Sequence, residues 1–511
     1  GYSSAASDVY KRQAENRQFL LPPIINRILT LLTEQGFAAY VVGGAVRDLL
    51  LGKTPGDFDV ATSARPESVI SILEPAGFTV IGELGQNFGV VVVYQDGHTV
   101  EIATFRGETY GVDAHKPEQV WYCDDLESDL SRRDFTINAM ALDRFGKVYD
   151  YHGGRQDLQQ KILRTVGDAP ARYREDALRM YRACRFVGQL GFDYVQMQGA
   201  GPAFGQPHTP YYLPQSCSFP VSRSAGLSLE RVRTELDKLL LGKWAGKGLM
   251  LLLATGLAGG RCRVREQGAY REIDVLPELE HLAGLPQNQR FHCYDVWEHT
   301  LAAVDNSPRQ LAIRWALLLH DVAKGLPGIR KLNKEGQPSD HGHEAESAVM
   351  AEAILSRLRY PAPFVQRVVW LVSRHMRFAP MLVTGERTLL RWLRSEAAGG
   401  TFKDSHAMTA AFEQLVAVFL ADMGATHAGK NAELMAEGRA LGTAVLELAR
   451  SKMPVHTKDL AISGHDVLAL LEDKSRIREA MRYLLQRVQS TDLPNERSAL
   501  EAAIIGWQKR H

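Results

Sequence analysis

Cysteine is scarce in this sequence: five occur among 511 residues, at positions 123, 184, 217, 262 and 293, and no two form a CxxC pair. A scattered, odd-numbered set argues against a disulfide frame or a zinc ribbon and reads as the reduced thiols of a cytoplasmic protein. Net charge is almost missing too, because 60 Lys and Arg face 59 Asp and Glu and leave +1. That balance excludes a uniformly basic nucleic-acid wrapper but leaves room for a local basic face. Long uncharged apolar runs are also lacking. The longest, residues 248–260, is too short to span a bilayer, and no signal peptide is visible, so no membrane partner is expected. Nor is the composition that of a disordered chain, with 45% hydrophobic and 23% charged residues. At 511 residues the chain exceeds what one hydrophobic core fills, so several packed units are expected.

What is present reads as a small α/β head followed by helices. Residues 1–21 are expected to be a leader or tag. Ile24, Ile25, Ile28, Leu29, Leu31 and Leu32 keep a helical period that Gly36 stops. Strand-like runs follow at 38–42, 58–60, 78–81, 88–94 and 99–104, with helical pieces at 46–51 and 66–75. After Asp168 the strand signal fades, and 171–190, 227–241, 294–428 and 453 to the end read as helical. Residues 196–226 are rich in Gly, Pro, Ser and Tyr, show no period, and are expected to be an irregular insertion or a mobile loop.

The head opens with Val41–Val42–Gly43–Gly44–Ala45–Val46–Arg47, followed by Asp57–Phe58–Asp59. Two glycines between a strand and a helix let backbone N–H groups approach a phosphate, or simply make a tight turn. Asp57 and Asp59 lie two apart on an expected strand, so both carboxylates leave one face. Such a pair repels unless a cation sits between its members, and hard oxygen donors suit Mg²⁺. Behind a Gly-Gly-helix unit, this pattern favours nucleotidyl transfer over a solvated strand end. Glu101 on a later strand can supply a third carboxylate or be an ordinary exposed residue. Farther on, Arg132 and Arg133 can clamp phosphates, while Asp134 and Asn138 can hydrogen-bond a ribose; a capped helix with a charged lip fits the same residues. Asp176, Arg179 and Arg182 fall at three-residue steps on one face of the helix predicted over 171–190. They can bridge one another, or set an acceptor beside a planar donor that reads the edge of a base.

A second constellation follows the order His299, then adjacent His320–Asp321, then His341, His343, His375 and Asp422. Imidazoles with carboxylates suit a transition metal or Mg²⁺. His299, His320, Asp321 and Asp422 are the expected ligands, with His343 and His375 as further candidates. Near the end, Gly464–His465–Asp466 reads as a helix start with Asp466 at the positive end of the dipole.

In this order and spacing, the motifs from about Tyr40 to Leu241 resemble the class II tRNA nucleotidyltransferases, the family of CCA-adding enzymes and bacterial poly(A) polymerases. The His, His-Asp, Asp series resembles the HD phosphohydrolases, and Lys458 to Val467 resembles the tail motif of Gram-positive-type CCA-adding enzymes. The resemblance implies an α+β fold, with a polymerase-β-like nucleotidyltransferase head on a mixed sheet and then all-α neck, body, HD and tail domains. It places the head at 22–165, a neck with a nucleotide-templating helix at 166–241, a body at 242–290, the HD domain at 291–430 and a tRNA-binding tail at 431–511. Residues 104–125 resemble the flexible loop of the family.

The activity so implied is template-independent addition of CCA to tRNA 3′ ends from CTP and ATP. Asp57, Asp59 and Glu101 would be catalytic, with Asp57 and Asp59 holding Mg²⁺. Gly43, Gly44, Arg47, Arg132, Arg133, Asp134, Asn138, Asp176, Arg179 and Arg182 would bind the nucleotide. The HD site would hold a divalent metal and hydrolyse phosphate esters or cyclic phosphates at RNA ends. Related HD-containing enzymes make a homodimer an open expectation. Two alternatives stay open: a poly(A) polymerase or A-adding enzyme, and, in another class, an HD phosphohydrolase whose head only binds RNA.

Overall fold

The computed structural model describes residues 19–81, 89–110, 117–195, 219–378, 386–450, 453–490 and 492–510, together with 200–201, 205, 209, 211, 216–217 and 380–381. The expected leader up to residue 18, residues 111–116 of the expected loop and most of 196–218 lie outside the described residues. Contacts divide the chain into two compact units. One comprises Gly1–Phe204, Tyr212–Leu239 and Lys247–Val275; the other comprises Gly205–Tyr211, Leu240–Gly246 and Leu276–His511.

The first unit begins with α1 (Pro23–Glu34), which buries Ile25, Ile28, Leu29 and Leu32 and so confirms the helical period. Its sheet is built from β1 (Ala39–Val42), β2 (Asp59–Thr62), β3 (Thr79–Val80), β4 (Val90–Gln95), β5 (His98–Thr104), β8 (Met140–Leu142) and β9 (Val148–Asp150). The strand order is β3-β4-β5-β2-β1-β8-β9. Only β2 and β5 run parallel; the other neighbours are antiparallel, so the sheet is mixed as expected. Helix α2 (Gly44–Leu50) follows β1, and α3 (Pro66–Leu73) follows β2. Strands β6 (Arg106–Tyr110) and β7 (Pro117–Tyr122) form a separate hairpin. Behind it, α4 (Leu126–Ser131) is capped by Asp125, whose side chain accepts from the amides of Glu127 and Ser128.

Local expectations for this stretch need correcting. The charged lip at 131–140 is no single helix: α4 ends at Ser131 and only a 3₁₀ turn, Thr136–Asn138, follows. After β9, helix α5 (Gly154–Gln160) leads into β10 (Ile162–Leu163). The helix predicted over 171–190 is two, α6 (Ala169–Glu175) and α7 (Leu178–Leu190), with Asp176 between them in extended backbone at φ −133°, ψ 102°. Its carboxylate accepts the Leu178 amide at 3.0 Å, which starts a new helix and explains the break.

Past α7, β11 (Asp193–Tyr194) pairs with β10, and β12 (Ala200–Gly201) pairs with β13 (Ser216–Cys217). The end of the expected irregular insertion is packed: Phe219 is buried against Tyr173 and Tyr194, and Val221–Gly226 is a 3₁₀ turn. After α8 (Leu229–Leu240) and α9 (Ala245–Ala254), the chain makes a hairpin of β14 (Arg261–Glu266) and β15 (Ala269–Asp274). The body is therefore not all helical. Cys262 and Val264 are buried while Arg261 and Arg265 face out, the two-residue period of a strand.

The second unit is mainly helical: α10 (Val296–Asn306), α11 (Leu311–Leu319), α12 (His343–Arg357), α13 (Ala362–Arg374), α14 (Glu386–Ala398), α15 (Ser405–Gly424) and α16 (Ala432–Arg450), then α17 (Gly464–Leu470), α18 (Ile477–Gln489) and α19 (Arg497–Gln508). A short pair, β16 (Lys331–Leu332) with β17 (Pro338–Ser339), interrupts the helices. Helix α15 is long and apolar enough to cross a membrane by length and composition, with a mean hydropathy of 1.3, which a search for uncharged runs alone missed. Here it packs on α10, α11 and α13 and buries Met408, Phe412, Leu415 and Val418.

Candidate active site and metal centre

In the first unit, Gly43 and Gly44 join β1 to α2. Gly43 has φ 74° and ψ −137°, a conformation open to glycine, and a Cβ there would lie 3.4 Å from Arg133 Nη1 and 3.8 Å from Asp59 Oδ2. Asp57 lies in irregular backbone just before β2, and Asp59 is its first residue. The register sets Asp59 opposite Glu101 of β5. Although Asp59 keeps solvent contact, partial desolvation raises its pKa first, and the Glu101 and Asp57 carboxylates raise it further against the pull of Arg133. Asp57 and Glu101 are thus both near enough to act on Asp59, but Asp57 lies just outside the strand that the DxD spacing expected to carry both aspartates.

Asp57 and Asp59 line a cleft of 710 Å³ with Gly43, Gly44, Arg47, Arg132, Arg133, Asp134, Asn138, Asp176, Arg179 and Arg182. Glu101 is not among its lining residues and reaches it through Asp59. Several of these groups bond to one another. Arg182 Nε donates to Asp134 Oδ2 at 2.7 Å, Asn138 Nδ2 donates to Asp134 Oδ1 at 3.2 Å, and Arg47 Nη1 donates to Asn138 Oδ1 at 2.8 Å. Burial would raise the Asp134 pKa, but the Arg182 charge and these bonds outweigh it and hold the carboxyl low. Asp134 and Asn138 are therefore engaged in an internal chain that shapes the cleft.

Asp176, Arg179 and Arg182 do not share one helix face, because the break falls at Asp176. Asp176 and Arg179 line the cleft all the same. Arg179 is buried; Nη1 donates to Glu175 Oε2 at 3.0 Å and Nη2 to the Arg132 carbonyl at 2.7 Å. Burial raises the Asp176 pKa against the pull of Arg179 and Arg231.

Sequence reasoning passed over several residues of this cleft. Arg106, Glu108, Arg185, Phe186, Gln189 and Lys238 line it as well. Arg185 pairs with Glu235 at 3.1 Å, and burial pushes its pKa down to about 10. Asp129 sits behind Arg132 and Arg133. Its spacing of three and four residues from them was the available signal.

In the second unit, His299, His320, Asp321, His343, His375 and Asp422 converge in groups that could hold a metal ion. His299 Nε2 is 3.0 Å from Asp422 Oδ1, His320 Nε2 is 3.2 Å from Asp321 Oδ2, and His343 Nε2 is 3.0 Å from Asp321 Oδ1. His375 Nε2 is 3.3 Å from His343 Nε2. Each Nδ1 meets a backbone carbonyl instead: His299 at Ala425, His320 at Leu317, His343 at Asp340 and His375 at Val372, between 2.6 and 3.3 Å. That arrangement turns every Nε2 inward as a potential ligand. The six side chains come from the first turns of α10 and α12 and from the C-terminal ends of α11, α13 and α15. His341 is exposed and takes no part. Lys324 Nζ lies 2.7 Å from Asp321 Oδ2 and donates to Gln287 at 2.9 Å. Near the C-terminus, Asp466 forms a capping box with Ser463, so capping accounts for it.

A glycine turn beside clustered carboxylates on a mixed sheet marks the first unit, and a His–Asp cluster that could hold a metal ion marks the helical one. Residues 39–164 match the Poly A polymerase head domain and residues 291–400 the HD domain, so the chain carries both. It is 42% identical over 251 residues to the CCA-adding enzyme of Geobacillus stearothermophilus, covering 48% of this chain and 57% of that one. To the CCA-adding enzyme of Bacillus subtilis (strain 168) it is 41% identical over 230 residues, covering 45% and 53%. The aligned part thus spans little more than half the length of these curated relatives. Among solved structures, the Bacillus stearothermophilus CCA-adding enzyme in complex with CTP superposes with a TM-score of 0.59 at 26% identity, covering 96% of this chain and 99% of that one. The Thermotoga maritima CCA-adding enzyme complexed with tRNA, at 18% identity and a TM-score of 0.53, covering 96% and 97%, shares the fold.

Proposed function

We propose that this chain is a cytoplasmic CCA-adding enzyme that extends tRNA 3′ ends from CTP and ATP in the cleft of the first unit. The observation that carries the reading is the acidic trio Asp57, Asp59 and Glu101 beside the Gly43 turn, with the Asp59 pKa raised by its neighbours. An all-oxygen donor set that repels itself without a cation fits Mg²⁺. Mg²⁺ held by Asp57 and Asp59 supplies a stronger 3′-hydroxyl nucleophile and offsets charge on the leaving pyrophosphate.

Around that chemistry the chain positions its reactants. The RNA 3′ oxygen bonds to the α-phosphorus as the bond to pyrophosphate breaks. Arg132 and Arg133 hold the triphosphate, and the Gly43–Gly44 turn lets the backbone lie close to it. Asp176 accepts from the exocyclic amino group that cytosine and adenine share, and Arg179 donates to the adjacent ring nitrogen. Uracil and guanine present the reverse pattern. Arg47, Asp134, Asn138 and Arg182 complete the nucleotide site through their bonded chain. The proposed domain division keeps a head at 22–165, neck to 241, body to 290, HD domain to 430 and a tRNA-contacting tail beyond; a homodimer is the assembly to look for.

For the second unit we propose metal-dependent hydrolysis of phosphate esters or cyclic phosphates at RNA ends. The inward Nε2 atoms and the placement of Asp321 between His320 and His343 favour it, and His299, His320, Asp321 and Asp422, with His343 and His375, would hold the divalent metal that activates the attacking water.

The deciding experiment is incorporation of CTP and ATP into tRNA lacking one, two or three terminal nucleotides. Ordered addition of C, C and A is expected. Use of ATP alone selects an A-adding enzyme or poly(A) polymerase, and no incorporation leaves an HD phosphohydrolase with an RNA-binding head.

A further inference from the structure

We propose that Asp129 is a positioning residue for the triphosphate, dividing its carboxylate between Arg132 and Arg133 and so fixing which guanidinium edges face the cleft. The inference rests on the nucleotidyl-transfer reading. Asp129 lies on α4 with its side chain 1% exposed. Its Oδ1 accepts from Arg132 Nε at 3.0 Å and Nη2 at 2.7 Å, and its Oδ2 accepts from Arg133 Nη2 at 3.1 Å. Oδ1 also accepts weakly from the Arg106 amide at 3.4 Å, which ties the pair to β6.

Two consequences follow from the planar fork of arginine. With one edge of Arg132 taken by Asp129, Nη1 is the nitrogen turned the other way, 3.2 Å from Glu108 Oε1. In Arg133, Nη1 lies against Gly43, 3.4 Å from where a Cβ would stand. One buried carboxylate therefore sets one cation against the glycine turn and turns the other toward Glu108. Lysine in either place would carry the charge but not the fixed edge.

Charge alone gives the opposite expectation. Arg106, Arg132 and Arg133 contribute three positive charges against two negative ones from Glu108 and Asp129. If only charge mattered, neutralising Asp129 would tighten triphosphate binding. If position matters, the same change loosens it, because both forks lose the acceptor that aims them.

The test measures equilibrium binding of CTP with Mg²⁺, and of inorganic tripolyphosphate, to the full chain, with thermal unfolding as a check on folding. For Asp129→Asn we expect Kd for both probes to rise roughly tenfold or more, with no further rise when it is added to an Arg132→Ala/Arg133→Ala background. Unchanged or tighter binding overturns the proposal, and so does an equal loss in both backgrounds. Should Asp129→Asn fail to fold, Arg132→Lys leaves Asp129 in place: a loss of CTP binding close to that of Arg132→Ala supports the proposal, and binding within twofold of wild type overturns it. Wild-type protein that binds no CTP refutes the nucleotidyl-transfer reading itself and takes this inference with it, whereas a loss confined to the variants bears on Asp129 alone.

Discussion

Replacing Asp59 by Asn should stabilise the metal-free first unit while ending nucleotide addition. Asp59 stands opposite Glu101 on the neighbouring strand, with Asp57 two residues before it. Neighbouring strands lie about 4.8 Å apart. Carboxylates at roughly 5 Å repel by about 0.8 kcal/mol in water and about 3 kcal/mol at an effective dielectric of 20. Both residues are exposed, so the lower end applies, and removing one charge relieves about 1 kcal/mol. That corresponds to a rise of roughly 2–4 °C in the melting of a unit this size. The sign follows from the raised pKa. The protonated carboxyl is the better tolerated form, so the penalty is absent at acid pH and sets in as pH rises through the raised value. The advantage of Asn should be full near pH 7 and shrink as pH falls to about 4, the ordinary carboxylate range. Thermal unfolding in EDTA at both pH values reads this directly. Added Mg²⁺ should then reverse the order, because it stabilises only the protein that binds it. Incorporation should fall about a thousandfold or more. A variant that melts at or below wild type in EDTA, or one that Mg²⁺ protects equally, would refute the shared-cation reading.

Three further outcomes are expected. Asp176→Ala should raise relative UTP or GTP use by roughly ten- to a hundredfold in single-nucleotide incorporation, from the 1–3 kcal/mol of a good base contact; an unchanged preference places base choice elsewhere. Arg182→Ala should leave Asp134 buried without its main cation and lower stability by about 1–3 kcal/mol in denaturant unfolding. Because the Asp134 pKa is lowered, its contribution is present above about pH 4 and is lost as pH falls through the lowered value, so wild type and variant should converge in acid; a constant gap contradicts this. His320→Ala should abolish metal-dependent hydrolysis and reduce bound metal while CTP addition continues, since the two clusters occupy separate units; parallel loss of both activities would show that they are coupled.

The head was legible because its signals are local. A glycine pair after a strand, two acids at a two-residue step and two adjacent arginines each declare themselves within a few positions. The break at Asp176 was hidden because good helix formers surround it and only its own carboxylate, bonded to the Leu178 amide, starts a new helix. The hairpin at 261–274 is short, and its turn shows in Gln267 and Gly268, both at positive φ, a backbone that Gln adopts rarely. The Glu108–Arg132 and Glu235–Arg185 pairs were hidden because their members lie 24 and 50 residues apart and only the fold brings them together, although Glu108 also has a local partner in Arg106. His343 and His375, left as secondary candidates by spacing, stand level with the others once α12 and α13 meet.

The carbonyls that hold the four imidazoles have a consequence for how the helical unit trades ions. With Nδ1 already committed, any proton that an imidazole gains must sit on Nε2, where a metal would also bind. Burial alone would lower the His320 pKa, but Asp321 and Asp422 raise it above its ordinary value, while burial and its neighbours push His375 down to about 3. When no metal is bound, the carboxylates thus favour a proton on His320, whereas His375 presents a bare lone pair. Hydrogen ion and metal are rivals for the same address, and each ion taken up should expel a proton into the medium. Weakly buffered solution would acidify on loading, and added acid would compete the metal out of the centre.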